Sequence, residues 1–313
     1  VAALQSQVAL ERVAYELAQD NQAEGVRYME VRFAPQLHVH SYLSMENVLR
    51  AVNRGLGRAK DEFNRRPEVA SGEEPEFEYS IVVCALRAFS RGLSEYYDRF
   101  LHLFRFSPPE RMYAQASFEL AQAAVRIRRD LGIPIMGFDL AGAEAGHPAE
   151  DHVEAYQYAH KNFLMKTVHA GEAYGPESIF QAITDLHADR IGHGTFLFDT
   201  ATIQDPAIED QDRYVHELAQ YIADRRITLE ICLTSNMQTN PNIQRLGEHS
   251  FRMMREARLS TTFCTDNRTI SNTTVSGEIE LAIKHLGLNA DDLKSCLVYG
   301  FKRSFFPGTY LAK

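Results

Sequence analysis

Short runs of apolar, β-branched and aromatic residues alternate along the chain with longer stretches whose apolar positions recur every three to four residues. The short runs are "RYMEVRFAP" (27–35), "EYSIVVCALR" (78–87), "IPIMGFDLAG" (133–142), "LMKTVHAGE" (164–172), "ADRIGHG" (188–194), "ITLEICLTSN" (227–236) and "LSTTFCTDN" (259–267). Each reads as a strand. Amphipathic stretches near 45–66, 110–131, 150–163, 176–187, 212–225, 245–257 and 274–286 read as helices, with a last one at 290–303. The opening "VAALQSQVALERVAYELAQ" is also helical in pattern. Strands that are apolar almost throughout, separated by helices, indicate a parallel sheet covered on both faces.

Seven strands suit an open doubly wound sheet, whereas a closed (β/α)₈ TIM barrel needs eight. The polar residues favour an α/β barrel that is one strand short. Asp139 and Gly142, His169 and Glu172, His193, Ser235 and Asn236, and Asp266 and Asn267 all fall at the C-terminal ends of strands. Barrel enzymes assemble their sites on that face from many strands; an open sheet gathers its site at one switch point. The segment "RRPEVASGEEPEFE" (65–78) reads as a surface excursion, not a linker, and no internal repeat is visible. The expectation is a single hydrolase barrel domain over residues 1–313.

Composition narrows the function. A 45% hydrophobic content supports a sizeable core, and a net charge of −9 argues against nucleic acid or anionic membrane as partner. No apolar run approaches the roughly 20 residues that span a bilayer. Cys84, Cys232, Cys264 and Cys296 are widely separated with no CxxC. They suit buried thiols in a reducing, cytoplasmic setting better than disulfides or a thiolate zinc site.

The strand ends carry the chemistry. "TVHAGE" offers His169 and Glu172, a metal ligand and a proton donor at one strand end. Gly171 between them tolerates unusual backbone angles and leaves room for a ligand. The plainer reading is a His and a Glu that only pair or solvate each other. "RIGHG" sets His193 between Gly192 and Gly194, a bulky polar ring where backbone passes closely. "FCTDN" ends with Asp266 and Asn267, and an Asp there could simply cap the next helix. An imidazole and a carboxylate together suit a divalent cation, most plausibly zinc, which makes a hydroxide at neutral pH. Metal-assisted hydrolysis is the reaction class these residues suggest.

"MEVRFAP", "DLAG", "HAGE", "RIGHG", "LTSN" and "TDN", in that order, resemble the adenosine deaminase family of the amidohydrolase superfamily. The likeness runs from about Glu11 to the C-terminus, and "HAGE" with "GHG" 24 residues later is its most specific part. The resemblance implies a (β/α)₈ barrel, one Zn²⁺ ion, and hydrolysis of adenosine or 2'-deoxyadenosine to an inosine nucleoside and ammonia. It implies His169 and Asp266 as zinc ligands, and Asp266 also as acceptor of a hydrogen bond from the attacking water. Glu172 would protonate purine N1, His193 would orient the water, and the Gly142 N–H would meet N3. Asn267 stands where many members carry a second Asp facing N7; an amide N–H can donate to N7 directly. Asp139 reads as a buried support, and Arg32 and Arg87 as structural ion-pair partners.

One pair looks like a better clamp than any of these. His38 and His40 in "PQLHVHSYL" would share a face of an extended strand. The family's HxH pair, however, lies on the first barrel strand, followed by a ribose-binding acid, whereas this pair follows "MEVRFAP", which matches a later strand. The expectation is therefore a loop or strand-exit pair. The working protein would then carry the missing strand and two further imidazoles on a segment upstream of Val1, and residues 1–313 alone would form an incomplete metal site.

Three rivals remain. A deaminase acting on adenine, a modified adenosine monophosphate or a larger adenosine metabolite would share the chemical residues. A binuclear amidohydrolase would place a bridging Lys on the fourth strand of its barrel, and "IPIMGFDLAG" has none. A non-catalytic deaminase-like binding protein would have no use for a proton donor at Glu172. The expected partner is a small purine nucleoside.

Overall fold

The computed structural model describes residues 2–240 and 243–309. Its strands are β1 (Tyr28–Phe33), β2 (Glu78–Leu86), β3 (Ile135–Ala141), β4 (Met165–Ala170), β5 (Arg190–His193), β6 (Thr228–Ile231) and β7 (Ser260–Phe263). They lie in one sheet in the order of the sequence, and the registers of β1 with β2 and of β4 through β7 are parallel. Helices fall between successive strands. The result is the expected incomplete (β/α)₈ barrel, with seven strands among the described residues.

The strand centres are apolar because both of their faces are covered. Residues 79–85 of β2 are all buried, and so is every residue of β5 and of β6. Contacts divide the chain into two compact units. Among the described residues, one contains 2–139, Glu154–Met165 and 305–309; the other contains Leu140–Val153 and Lys166–Ser304.

In the first unit, helix Met45–Asn64 starts at Ser44, whose hydroxyl accepts the Asn47 N–H at 3.3 Å. It buries Val48, Leu49, Val52, Leu56, Ala59 and Phe63, the recurrence of a single helical face. Gly55 lets this helix approach helix Gln7–Ala23, since a Cβ there would stand 2.2 Å from the Glu11 carbonyl oxygen. Gly55→Ala is expected to cost about 1–3 kcal/mol through overpacking, more than the ~1 kcal/mol that alanine contributes in helix propensity. A lower urea midpoint at unchanged slope is the expected reading, and an unchanged or higher midpoint would rule out the close approach.

Asp139, fully buried in β3, pairs with Arg32 on β1 at 3.4 Å. Both thus have the structural part expected of them. Arg87 is also buried. The excursion at 65–78 is exposed from Gly72 to Glu76 and holds one short turn, Pro67–Ala70.

His38 and His40 do not lie on a strand. Pro35–Leu37 is a 3₁₀ turn, and His38 has helical backbone angles just after it. The His38 Nδ1–H donates to the Leu4 carbonyl at 2.9 Å, and the His40 Nε2–H donates to the Gln5 carbonyl at 3.0 Å. Burial holds His38 below the usual imidazole range. The pair pins the backbone that leads into the first helix, in keeping with a strand-exit pair and not a clamp.

In the second unit, polar groups within the strands and just before them pair with one another. The Arg190 Nε stands 2.6 Å from Glu230 Oε1, which also accepts the Thr167 hydroxyl at 3.3 Å, and Lys166 pairs with Asp189 at 2.8 Å. Buried charges survive only with such partners.

Candidate active site

All the site residues expected from the sequence lie in the second unit. The β4–β5 register sets His169 beside Gly192 and Ala170 beside His193. The two imidazole rings meet at a centroid distance of 5.0 Å. A Cβ on Gly192 would lie 3.4 Å from the His169 Cα, an ordinary van der Waals contact, so the two strands pass closely here without demanding glycine. Gly171 has φ +69°, the unusual backbone angle expected of it. The space a Cβ would need there is taken by Ile179, 2.6 Å away, so glycine makes room for core packing and not for a ligand.

His193 is almost wholly buried, with φ +67°, and Asp266 has φ +51°. Residues other than glycine adopt such angles at a cost, and His193 and Asp266 share them with Phe163, His187, Arg226, Arg258 and Asn272. His193 Nε2 is 3.7 Å from Glu172 Oε2, and Glu172 is partly exposed. Asp266 does not cap the following helix: its Oδ2 accepts the Ser235 hydroxyl at 2.7 Å. Asn267 occupies the N-cap position of that short helix, Arg268–Ser271, without a side-chain cap bond, and it is exposed. Gly142, just beyond β3, is exposed with φ +99°.

One strand ending needs correction. "LTSN" is not part of β6, which stops at Ile231; Leu233–Thr239 is a helix. Ser235 and Asn236 point from its first turns toward the site, Ser235 to Asp266 and Asn236 to His193 Nδ1 at 2.9 Å. The apolar run "ITLEICL" masks the change from strand to helix.

Two residues escaped the sequence reading. The buried carboxylate of Glu144 accepts the backbone N–H groups of Gly171 (2.9 Å), Glu172 (3.1 Å), Ala173 (2.6 Å) and Tyr174 (3.0 Å), together with the Ser178 hydroxyl. Four consecutive amides form an anion-binding nest, and the chain fills it with its own side chain. The loop that carries Glu172 is therefore tied at four points. The available signal was an acid two residues beyond Gly142. The second residue is His249, buried and held down to about 4 by its burial and, secondarily, by His193.

A zinc ion is the cofactor the sequence suggests, and catalytic zinc takes three ligands from protein. Among the described residues, no group of three or more His, Cys, Asp or Glu side chains is gathered as a metal site requires. His169 and Asp266, the two ligands expected from the sequence, would be an incomplete set by themselves, so no chemical step below is routed through the ion. Also among the described residues, no helix is long and apolar enough to cross a membrane. All four cysteines are outside any disulfide, with Cys84, Cys232 and Cys296 buried.

An imidazole and a carboxylate facing each other at the C-terminal ends of β/α-barrel strands suit the acid–base chemistry of a hydrolase. The adenosine deaminase family model matches residues 1–310. Adenosine deaminase 1 of Streptomyces coelicolor is 36% identical over 311 residues, spanning 98% of this chain and 67% of that protein. The Mycobacterium leprae adenosine deaminase is 35% identical over 307 residues, spanning 98% and 74%. The chain belongs to the adenosine deaminase family and is a hydrolytic deaminase. Solved structures share its fold at lower identity. An adenine deaminase from Arthrobacter aurescens has a TM-score of 0.71 at 20% identity, covering 96% of this chain and 76% of that one. An amidohydrolase from Burkholderia ambifaria solved with bound Zn has 0.72 at 21%, covering 96% and 70%.

Proposed function

We propose that this deaminase converts adenosine, and 2'-deoxyadenosine, to the corresponding inosine nucleoside and ammonia. The observation that carries the reading is the approach of His193 Nε2 to Glu172 Oε2, 3.7 Å apart, beside the His169 ring. The curated adenosine deaminases at 35–36% identity support the choice of nucleoside. In this reading protonated Glu172 gives its proton to purine N1, which makes C6 electrophilic. Water adds to C6 as one of its protons passes to the Asp266 carboxylate; that proton moves on to the 6-amino nitrogen, the C–N bond breaks and ammonia leaves, and the remaining hydroxyl proton returns to Glu172 as the C6 carbonyl forms. Asp266, its other side held by Ser235, accepts a hydrogen bond from the attacking water, and His193 holds that water in line with C6. The Gly142 N–H meets N3, and the Asn267 amide donates to N7, an acceptor. His169 and Asp266 are the donors this chain directs toward the zinc ion of the proposal.

A panel of adenosine, 2'-deoxyadenosine, adenine and N6-methyl-AMP tests the assignment by chromatography of the 6-oxopurine product, since the last of these releases methylamine in place of ammonia. The highest kcat/KM is expected for the two nucleosides. A preference for the free base or for the nucleotide would overturn the substrate and leave the reaction class standing.

A further inference from the structure

His249 and Asn236 stand behind His193, away from Glu172, and the chemistry proposed above assigns neither a task. We infer that His249, acting through the side-chain amide of Asn236, holds His193 in the tautomer that carries its proton on Nε2. The inference rests on the deaminase reading for its catalytic meaning but on hydrogen-bond logic for its content.

One donor in this chain of bonds has a fixed sense. The backbone N–H of Phe251 points at His249 Nδ1 from 3.0 Å, and a backbone N–H can only donate. His249 Nδ1 therefore carries the lone pair. Burial keeps this ring neutral, held down to about 4, so its single proton is on Nε2. That N–H lies 3.2 Å from the Asn236 amide, and of the two amide atoms only Oδ1 accepts. The orientation of the amide is thereby settled by its hydrogen-bond partners.

With Oδ1 turned to His249, Nδ2 is left to donate to His193 Nδ1 at 2.9 Å. His193 Nδ1 is then an acceptor, and a neutral His193 has its proton on Nε2, the nitrogen nearer Glu172. Turning the amide over would break both bonds together, opposing N–H to N–H on one side and oxygen to lone pair on the other. His193, Asn236 and His249 are 2%, 1% and 2% exposed, so water has little access to repair such a mismatch. His193 consequently shows the reaction side an N–H and not a lone pair. It acts as a donor to oxygen; abstraction of a proton at Nε2 would first require reversal of the whole chain of bonds. His249 and Asn236 are positioning residues.

Long-range ¹H–¹⁵N correlation spectra of ¹⁵N-histidine-labelled protein read the tautomer directly. The expected result is an unprotonated Nδ1 and a protonated Nε2 on His193, as on His249. His249→Leu removes the orienting donor, so the Nδ1–H form of His193 should appear and kcat should fall about 10- to 100-fold. KM is expected to change less. His249→Gln, whose Nε2–H can reach the same amide oxygen, should restore both the spectrum and most of kcat. Asn236→Asp offers acceptors to both rings and should move the His193 proton to Nδ1, which gives a second reading should the leucine variant fail to fold. A wild-type His193 protonated at Nδ1 would overturn the inference. So would equal losses in the Leu and Gln variants with an unchanged His193 spectrum. Were adenosine not the substrate, the spectra would still decide the tautomer, so the two readings fail separately.

Discussion

Glu172→Gln is expected to lower kcat for adenosine by about 10²- to 10⁴-fold, the span typical of a removed general acid, while binding of the product nucleoside changes little. Glutamine matches glutamate in shape and can still offer an N–H toward purine N1. It cannot release a proton there, so it supports binding and not the activation of C6. The surroundings of residue 172 make the comparison clean. Its backbone N–H is anchored to Glu144 at 3.1 Å, and the neighbouring amides at 171, 173 and 174 are anchored to the same carboxylate. The exchange of one oxygen for nitrogen at a partly exposed side chain leaves that anchoring intact. Ammonia release at saturating adenosine, with inosine titrated in a calorimeter, separates the two effects. Unchanged turnover would refute the assignment of Glu172 as acid, and a parallel loss of inosine binding would make it a binding group instead.

The second large effect is expected at Glu144, whose carboxylate meets donors on every side. Oε1 takes the Gly171 N–H and the Ser178 hydroxyl, and Oε2 takes the amides of Glu172, Ala173 and Tyr174. Glu144→Gln is nearly isosteric, yet whichever way the amide turns, its NH₂ confronts backbone groups that can only donate. Each buried donor left without an acceptor costs about 1–3 kcal/mol, so a substantial fall in Tm is expected. The loop also loses the tie that sets Glu172, and a displacement near 1 Å of a reacting group is worth about 10²-fold in rate. Thermal unfolding and kcat are expected to fall together in this variant. Full activity with an unchanged Tm would show that the nest tolerates a neutral occupant and that Glu144 does not position the acid.

Much of the architecture is legible in the chain because parallel strands leave a simple trace. Both faces of β2, β5 and β6 are buried, so their apolar runs stand out between amphipathic helices, and the observed strands lie within the stretches expected at 78–87, 188–194 and 227–236. The helix over 110–131 is observed at Pro109–Leu131 for the same reason: a periodic face of Ala116, Leu120, Ala124 and Ile127 is buried along its length. Where periodicity fails, so does the reading. "ITLEICLTSN" carries apolar residues at Ile227, Leu229, Ile231 and Leu233, a spacing that runs on past the strand end, and only packing turns Leu233–Thr239 into a helix. The helix Glu95–Leu103, absent from the sequence expectation, gathers Tyr97 against Phe89, Met112 and Ala116, a cluster defined by partners distant in sequence.

The candidate site divides along the same line. By itself the sequence determined which chemistry was available: His169, Glu172, His193 and Asp266 announce themselves because each ends an apolar run, and two of them sit among glycines. Their relation in space came from the fold. The parallel register of β4 and β5 brings the rings of His169 and His193 within 5.0 Å, although 24 positions separate them in the chain. Only the tertiary structure could give Gly171 to Ile179, set Glu144 into a nest of amides, or hand the orientation of His193 to His249. The same holds for His38 and His40, whose spacing suits a metal clamp while their rings hold the carbonyls of Leu4 and Gln5. The physical reason is common to all of these. A side chain's type and spacing state what it can donate, accept or bind, whereas its partner is whatever group the folded chain delivers within about 3 Å. That second quantity depends on contacts between residues tens of positions apart.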